Sequence, residues 1–199
     1  MSHDLNSLKQ MLATAPAVAV NTTLFRRVTF QALASYTPPN WLYTSGKPQR
    51  YNPAGVDCVY FGADTNITRV EFESLWQGLQ GANQPATDFC VAVALQRVLD
   101  LTSATTLKAL KISAQELFKS WRRTKTPTLT QLLGLAVNET RLFSAIRYPS
   151  KATADRGQAG INFVIFRDCV QFPDLVEILG PTSKPLQTWP SSNRWRGGA

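Results

Sequence analysis

The sequence predicts a single α+β domain, and three observations carry that prediction. Apolar periodicity switches between helical and alternating patterns without a regular strand-then-helix order, which disfavours a doubly wound sheet. With 199 residues and 44% hydrophobic side chains, the chain is long enough to bury one core. Charged residues make up only 17% of it, so its composition is neither disordered nor fibrous.

Leu5, Leu8, Met11 and Leu12 recur at helical spacing until Pro16, so residues 1–21 read as a helical extension. Thr23 to Phe30, rich in β-branched and aromatic residues, reads as a strand. It contains Arg26 and Arg27, and because an unpaired buried guanidinium is costly, at least one should face a solvated cleft. Residues 34–55 hold Pro38-Pro39, Ser45-Gly46, Pro48, Pro53 and Gly55, a turn-rich connection of the kind a scaffold positions for binding. Val56 to Gly62 reads as a strand, followed by a helix from Asn66 to Leu79 closed by Gly78 and Gly81.

Phe89 to Leu99 is an apolar, β-branched run and reads as a strand, with a buried helical segment as the alternative. Ser113-x-x-Glu116 precedes Leu117, Phe118 and Trp121, and Thr128-x-x-Gln131 precedes Leu132, Leu133 and Ala136. Both fit the capping box that opens a helix. Phe143 to Tyr148 and Ile161 to Phe166 read as closing strands around a polar loop, Ser150 to Gly160. The main domain is therefore placed at 22–180, with 181–199, carrying Pro185, Pro190 and two final glycines, as a loosely held tail.

A net charge of +8 and a pI near 9.7 favour an anionic ligand or partner. The cations are scattered as Arg26-Arg27, Arg122-Arg123, Arg194 and Arg196, without a basic run, which argues against direct nucleic-acid binding. Cys58, Cys90 and Cys169 each sit among apolar neighbours and read as small core residues of a reducing compartment. His3 is the sole histidine and no CxxC occurs, so no metal site is expected and the usual base for a serine or cysteine nucleophile is missing. The apolar stretch Leu12 to Val20 is short and broken by Pro16, and the N-terminus lacks a basic segment feeding an apolar run. A cytoplasmic protein is expected, with no membrane contact.

On a helical wheel Ile67, Glu71, Leu75 and Leu79 share one stripe, opposite Arg69, Glu73 and Gln77. Glu73 is therefore an ordinary solvated residue, whereas a carboxylate on an apolar stripe must be paired, hydrogen-bonded or functional. The competing explanation is a capping box with Thr68, although the helix starts nearer Asp64 or Thr65. Arg50 sits in a loop shaped by Gly46 and Pro53, and its planar fork suits two phosphate oxygens; a lone loop arginine is more often simply solvated. Tyr60 alternates with Val59 and Phe61, so it either packs in the core or stacks on a flat ligand. Ser150, after Pro149, is a turn former or a site residue.

Taken together, Phe25-Arg26, Arg50-Tyr51-Asn52-Pro53 with Gly55, Val59-Tyr60, Glu71, Tyr148-Pro149-Ser150 and Asn162 to Phe166 resemble the RES domain family, named for an arginine, a glutamate and a serine. Val98 to Thr102 is similar to the family's middle, and the likeness spans residues 22 to 170. The sequence departs from the family at Ser45-Gly46-Lys47-Pro48-Gln49, where members have a glycine-rich approach to the loop arginine. The resemblance implies an ADP-ribosyltransferase-like sheet core with flanking helices. It also implies an NAD-consuming toxin paired with an Xre-type antitoxin, which either degrades NAD by hydrolysis or phosphorolysis or transfers ADP-ribose to a protein.

On that reading NAD is the substrate and no metal is needed. Glu71 stabilises the ribosyl cation-like transition state, Arg50 with Arg26 or Arg27 holds the pyrophosphate, Tyr60 packs against the nicotinamide or its ribose as a fellow catalytic residue, and Tyr51 and Asn52 bind the nucleotide. Arg26 is preferred over Arg27 because an aromatic residue precedes it and a strand turns only one of two neighbours to the cleft. Ser150 orients the nicotinamide or the glutamate. A single carboxylate argues against the two-carboxylate glycosidase scheme. The alternative function is a non-catalytic basic module binding nucleotides or nucleic acid.

Overall fold

The computed structural model describes residues 3–35, 40–42, 44, 46–76, 84–122, 124–180 and 184–190. The features placed at Pro38-Pro39, Ser45, Gln77, Gly78, Leu79, Gly81, Arg123, Pro181, Arg194 and Arg196 lie outside these residues. Among them the chain forms a mixed α+β domain around one sheet. Its strands are β1 (Val18–Thr29), β2 (Cys58–Gly62), β3 (Ala86–Asp100), β4 (Ala145–Pro149), β5 (Ile161–Phe166), β6 (Leu175–Ile178) and β7 (Gln187–Trp189), ordered β1-β2-β5-β4-β3-β6-β7. Because β1 also pairs with β3 over its whole length, the first five strands close into a ring, and β6 and β7 continue from β3.

Strand alternation divides the interior in two. Phe61, Val91, Val93, Leu95, Ala145, Phe163 and Ile165 fill one core together with Leu24 and Trp189. Ile146, Tyr148, Val164 and Phe166 face the other way, against the helices. On that side α1 (Leu5–Thr14) buries Leu8 and Leu12 beside Leu133, Ala136 and Val137 of α6 (Leu129–Thr140). The amino-terminal helix is thus part of the main core, and β1 runs across the expected boundary at residue 22.

The structure differs from the sequence reading at several elements. β3 is longer than predicted, and its inward positions 91, 93 and 95 leave Cys90 out of phase and exposed, while Cys58 and Cys169 are buried. The segment after Ser113 is a single turn, α5 (Ala114–Leu117), that never reaches Trp121. The polar loop after Ser150 contains a helical turn, α7 (Lys151–Ala154), capped by Ser150 itself. A further helix, α4 (Ala104–Leu110), ends on left-handed Lys111. Finally, residues 187–189 are not loose: they pair with β6 and bury Trp189, because the alternation of β6 was hidden in the short run Leu175–Ile178. Phe30 ends the first predicted strand but opens the short helix α2 (Phe30–Ala34).

Candidate active site

One helix and two strand ends set the carboxylate in place. Helix α3 (Thr65–Trp76) starts on Asp64, whose Oδ1 accepts the Ile67 amide at 2.8 Å. Thr68 is therefore inside the helix; its hydroxyl donates to Thr65 O and to Asp88 Oδ1, each at 2.9 Å, and does not cap Glu71. Ile67 points into the core at 3% exposure, but Leu75 on the same stripe is 49% exposed. The stripe carrying Glu71 thus passes from the core onto the wall of a cleft, where Thr68, Phe72 and Leu75 also lie.

Glu71 Oε1 accepts the Ser150 hydroxyl at 2.7 Å and the Asn162 amide at 2.5 Å. Oε2 makes no hydrogen bond to a described residue. Ser150 is held in turn, since its Oγ accepts the Thr153 amide at the start of α7, and it is only 1% exposed. Asn162 pairs with Gly62 across β2 and β5 and with Tyr148 across β4 and β5. Three distant segments thereby fix one carboxylate oxygen.

The cleft has a volume of about 360 Å³, within the usual range for a small-molecule site. Its cationic lining comes from Arg26, Arg27, Arg50, Arg122 and Lys151, against Glu71 and Asp155. Arg26 and Arg27 both contribute, which corrects the expectation that one strand position alone would do so. Arg27 is anchored by Asp88 Oδ2 at 2.7 Å and lies 5.6 Å from the Phe72 ring centre. Lys151 is paired with Asp155 at 2.6 Å.

The loop before β2 is docked on α6. Gln131 Nε2 donates to Gln49 O at 3.0 Å, and Gly134 lets the Tyr51 backbone come so close that a Cβ there would stand 1.6 Å from Tyr51 O. Tyr51 is buried against Tyr148, with ring centres 4.4 Å apart, and is absent from the cleft lining. Asn52 is also buried and donates to Lys47 O and Pro53 O. Both expected nucleotide contacts are therefore corrected to structural roles: they bury the loop so that Arg50 and Gln49 reach the cleft. Ser150 likewise stays behind Glu71 instead of lining the cleft.

Tyr60 joins the two groups. Its ring lines the cleft, while its hydroxyl donates to Asn52 Oδ1 and accepts the Tyr51 amide, both at 2.8 Å. Burial pushes this phenol well above its ordinary range, with Cys58 and Tyr148 adding to the effect. Tyr60 therefore keeps its proton and presents a neutral wall to the cleft. Tyr148, which also lines the cleft, is raised well above the usual phenol range by burial and by the Glu71 charge.

Arg50 does more than predicted. Its Nη1 donates to Leu117 O at 2.8 Å and Lys119 O at 3.1 Å, pinning the segment that carries Ser120, Trp121 and Arg122 along the cleft. Sequence reasoning missed Asn162 and Asp88 as site residues. An asparagine inside the otherwise apolar run Ile161–Phe166 was the available signal for the first. Among the described residues, no group of His, Cys, Asp and Glu is arranged to hold a metal.

The RES domain family matches residues 23–189. The chain belongs to the RES domain family. This RES domain is similar in fold to a chain of the M. tuberculosis MbcT–MbcA toxin–antitoxin complex, with a TM-score of 0.61 and 15% identity. That similarity covers 89% of this chain and 92% of the other. A search of curated proteins finds no match. No helix of the described residues is long and apolar enough to cross a membrane.

Proposed function

We propose that this RES domain cleaves the nicotinamide–ribose bond of NAD and acts as a toxin restrained by an antitoxin protein. The observation that carries the reading is Glu71: one oxygen is fixed by Ser150 and Asn162, and the carboxylate lies in a cleft lined by arginines. An anionic diphosphate suits the arginines, and a transition state with positive charge on ribose suits the carboxylate.

In the reaction the C1′–N bond breaks and its electron pair passes to the pyridinium nitrogen, so nicotinamide leaves neutral and needs no strong acid. Glu71 Oε2 faces the developing oxocarbenium or its 2-hydroxyl. Preorganisation matters here because a carboxylate already held by two donors does not reorient as charge develops. Of the two carboxylates that line the cleft, Asp155 is paired with Lys151, which leaves Glu71 for the reacting bond, and the acceptor at C1′ is water, phosphate or a protein side chain drawn from solution.

A basic cleft mouth also suits an acidic segment of an antitoxin, and the fold is that of a chain found in a toxin–antitoxin complex. An Xre-type protein is the proposed partner and the cytoplasm the proposed compartment. Incubation of the purified protein with NAD, with and without phosphate or candidate proteins, followed by mass spectrometry of the products, tests the reaction and identifies the acceptor. Release of nicotinamide is expected; intact NAD would instead indicate a nucleotide-binding module without turnover.

A further inference from the structure

The wall that Arg50 pins has chemistry of its own. Trp121 and Arg122 both line the cleft, with the Arg122 guanidinium 5.4 Å from the Trp121 ring centre. They follow the single turn α5, whose last carbonyl, Leu117 O, and the next but one, Lys119 O, are held by Arg50. The loop is thus held by a charged residue of a different segment.

A chain of contacts links the carboxylate to this wall. Glu71 is bonded to Asn162, which pairs with Gly62. Tyr60 stands two residues along the same strand, about 6–7 Å further on at the usual strand rise. Its hydroxyl bonds the Tyr51 amide, next to Arg50, and Arg50 bonds the carbonyls that lead to Trp121. Trp121 is thus linked to the carboxylate through Tyr60, Tyr51 and Arg50, and all but Tyr51 line the same cleft.

We infer that Trp121 is the base platform of this cleft: it stacks the purine of an adenine nucleotide on the indole face that Arg122 does not cover, with Arg50 on the attached phosphates. The inference rests on the dinucleotide reading above and extends it to substrate specificity. Three features favour a purine. An indole offers a large flat surface for which base stacking is favourable. A guanidinium over one face of the indole holds the ring in place and balances a nearby phosphate. Arg50 spends only Nη1 on the loop, leaving donors of its five-donor fork for an anion between the two ends. Arg50 would then couple anion binding to the position of the stacking wall.

The test uses adenosine monophosphate and ribose 5-phosphate as probes, titrated calorimetrically against the full chain and the Trp121→Ala and Trp121→Phe variants. The parent chain should bind adenosine monophosphate more tightly than ribose 5-phosphate. Trp121→Ala should weaken adenosine monophosphate about tenfold, and Trp121→Phe should restore most of the loss. In turnover, the preference in kcat/KM for NAD over nicotinamide mononucleotide, which lacks the adenylate, should fall about tenfold in Trp121→Ala. Equal affinity of the parent for the two probes, or an unchanged preference and unchanged adenosine monophosphate affinity in the variant, would overturn the inference. Should Trp121→Ala not fold, the comparison of the two probes on the parent chain and the Trp121→Phe titration still decide it. Tryptophan-dependent binding of adenosine monophosphate without nicotinamide release from NAD would uphold the base platform and reject the proposed reaction.

Discussion

Ser150 and Glu71, 79 residues apart in the sequence, meet through a 2.7 Å hydrogen bond from the serine hydroxyl to Oε1 of the glutamate. The same serine oxygen caps α7 by accepting the Thr153 amide. Ser150→Ala should therefore lower kcat for nicotinamide release by about 10- to 100-fold with little change in KM, because the carboxylate loses a restraint and not a substrate contact. The lost cap should also cost about 1 kcal/mol of stability, read by urea unfolding. A change confined to KM would argue for direct contact of Ser150 with the substrate.

Asn162 supplies the second restraint on the same oxygen at 2.5 Å. Asn162→Ala should behave like Ser150→Ala in steady-state kinetics. Asn162→Asp should be slower still, since it replaces a donor by a like charge facing Glu71. Equal rates for the two variants would show that the amide is not acting on the carboxylate.

Asp88 serves two cleft residues at once, taking Arg27 on Oδ2 and Thr68 on Oδ1. Asp88→Asn should raise KM for NAD several-fold by releasing Arg27. A loss of about 1–2 kcal/mol in stability is expected, less than for a fully buried pair, because both partners are about a quarter exposed (25% and 22%).

Gly134 offers a purely structural control on the loop that carries Arg50. A methyl group there would stand 1.6 Å from the Tyr51 carbonyl oxygen, and backbone cannot move aside as a flexible side chain can. Gly134→Ala should destabilise the domain by about 3 kcal/mol or more in thermal or urea unfolding, by the overpacking mechanism.

Burial pushes the Cys58 thiol up to about 12 and the Cys169 thiol up to about 11, whereas Cys90 is exposed. At pH 8 a thiol reagent should label Cys90 quickly and the other two only on unfolding. The sign of the linkage follows: thiols that stay protonated in the fold but ionise near 9 when unfolded contribute stability that is complete below pH 9 and declines as the pH rises toward 11–12. Unfolding free energy measured across that window should fall with pH.

Much of this organisation was legible in the sequence, for physical reasons that differ by element. The Thr128–Gln131 capping box and the apolar spacing of α6 are local signals, and the helix begins where they say. Glu71 stood out because a carboxylate on an apolar stripe demands a partner, and the partners are Ser150 and Asn162. Tyr51 and Asn52 misled because a loop's conspicuous polar residues look alike whether they face a ligand or lock the loop; only the closeness of Gly134 to Tyr51 reveals which. The dual use of Arg50 was invisible because its acceptors are backbone carbonyls 67 and 69 residues away, and carbonyls carry no sequence signature. β7 escaped notice because three residues are too short for a period to show.

The most direct measurement is nicotinamide release from NAD by the parent chain and by Glu71→Gln, with folding verified by circular dichroism. Measurable turnover by the parent and a loss of about 10²- to 10³-fold in the variant are predicted, the scale expected when one oriented electrostatic group is removed from a preorganised site. Turnover that is the same in both proteins would contradict the account.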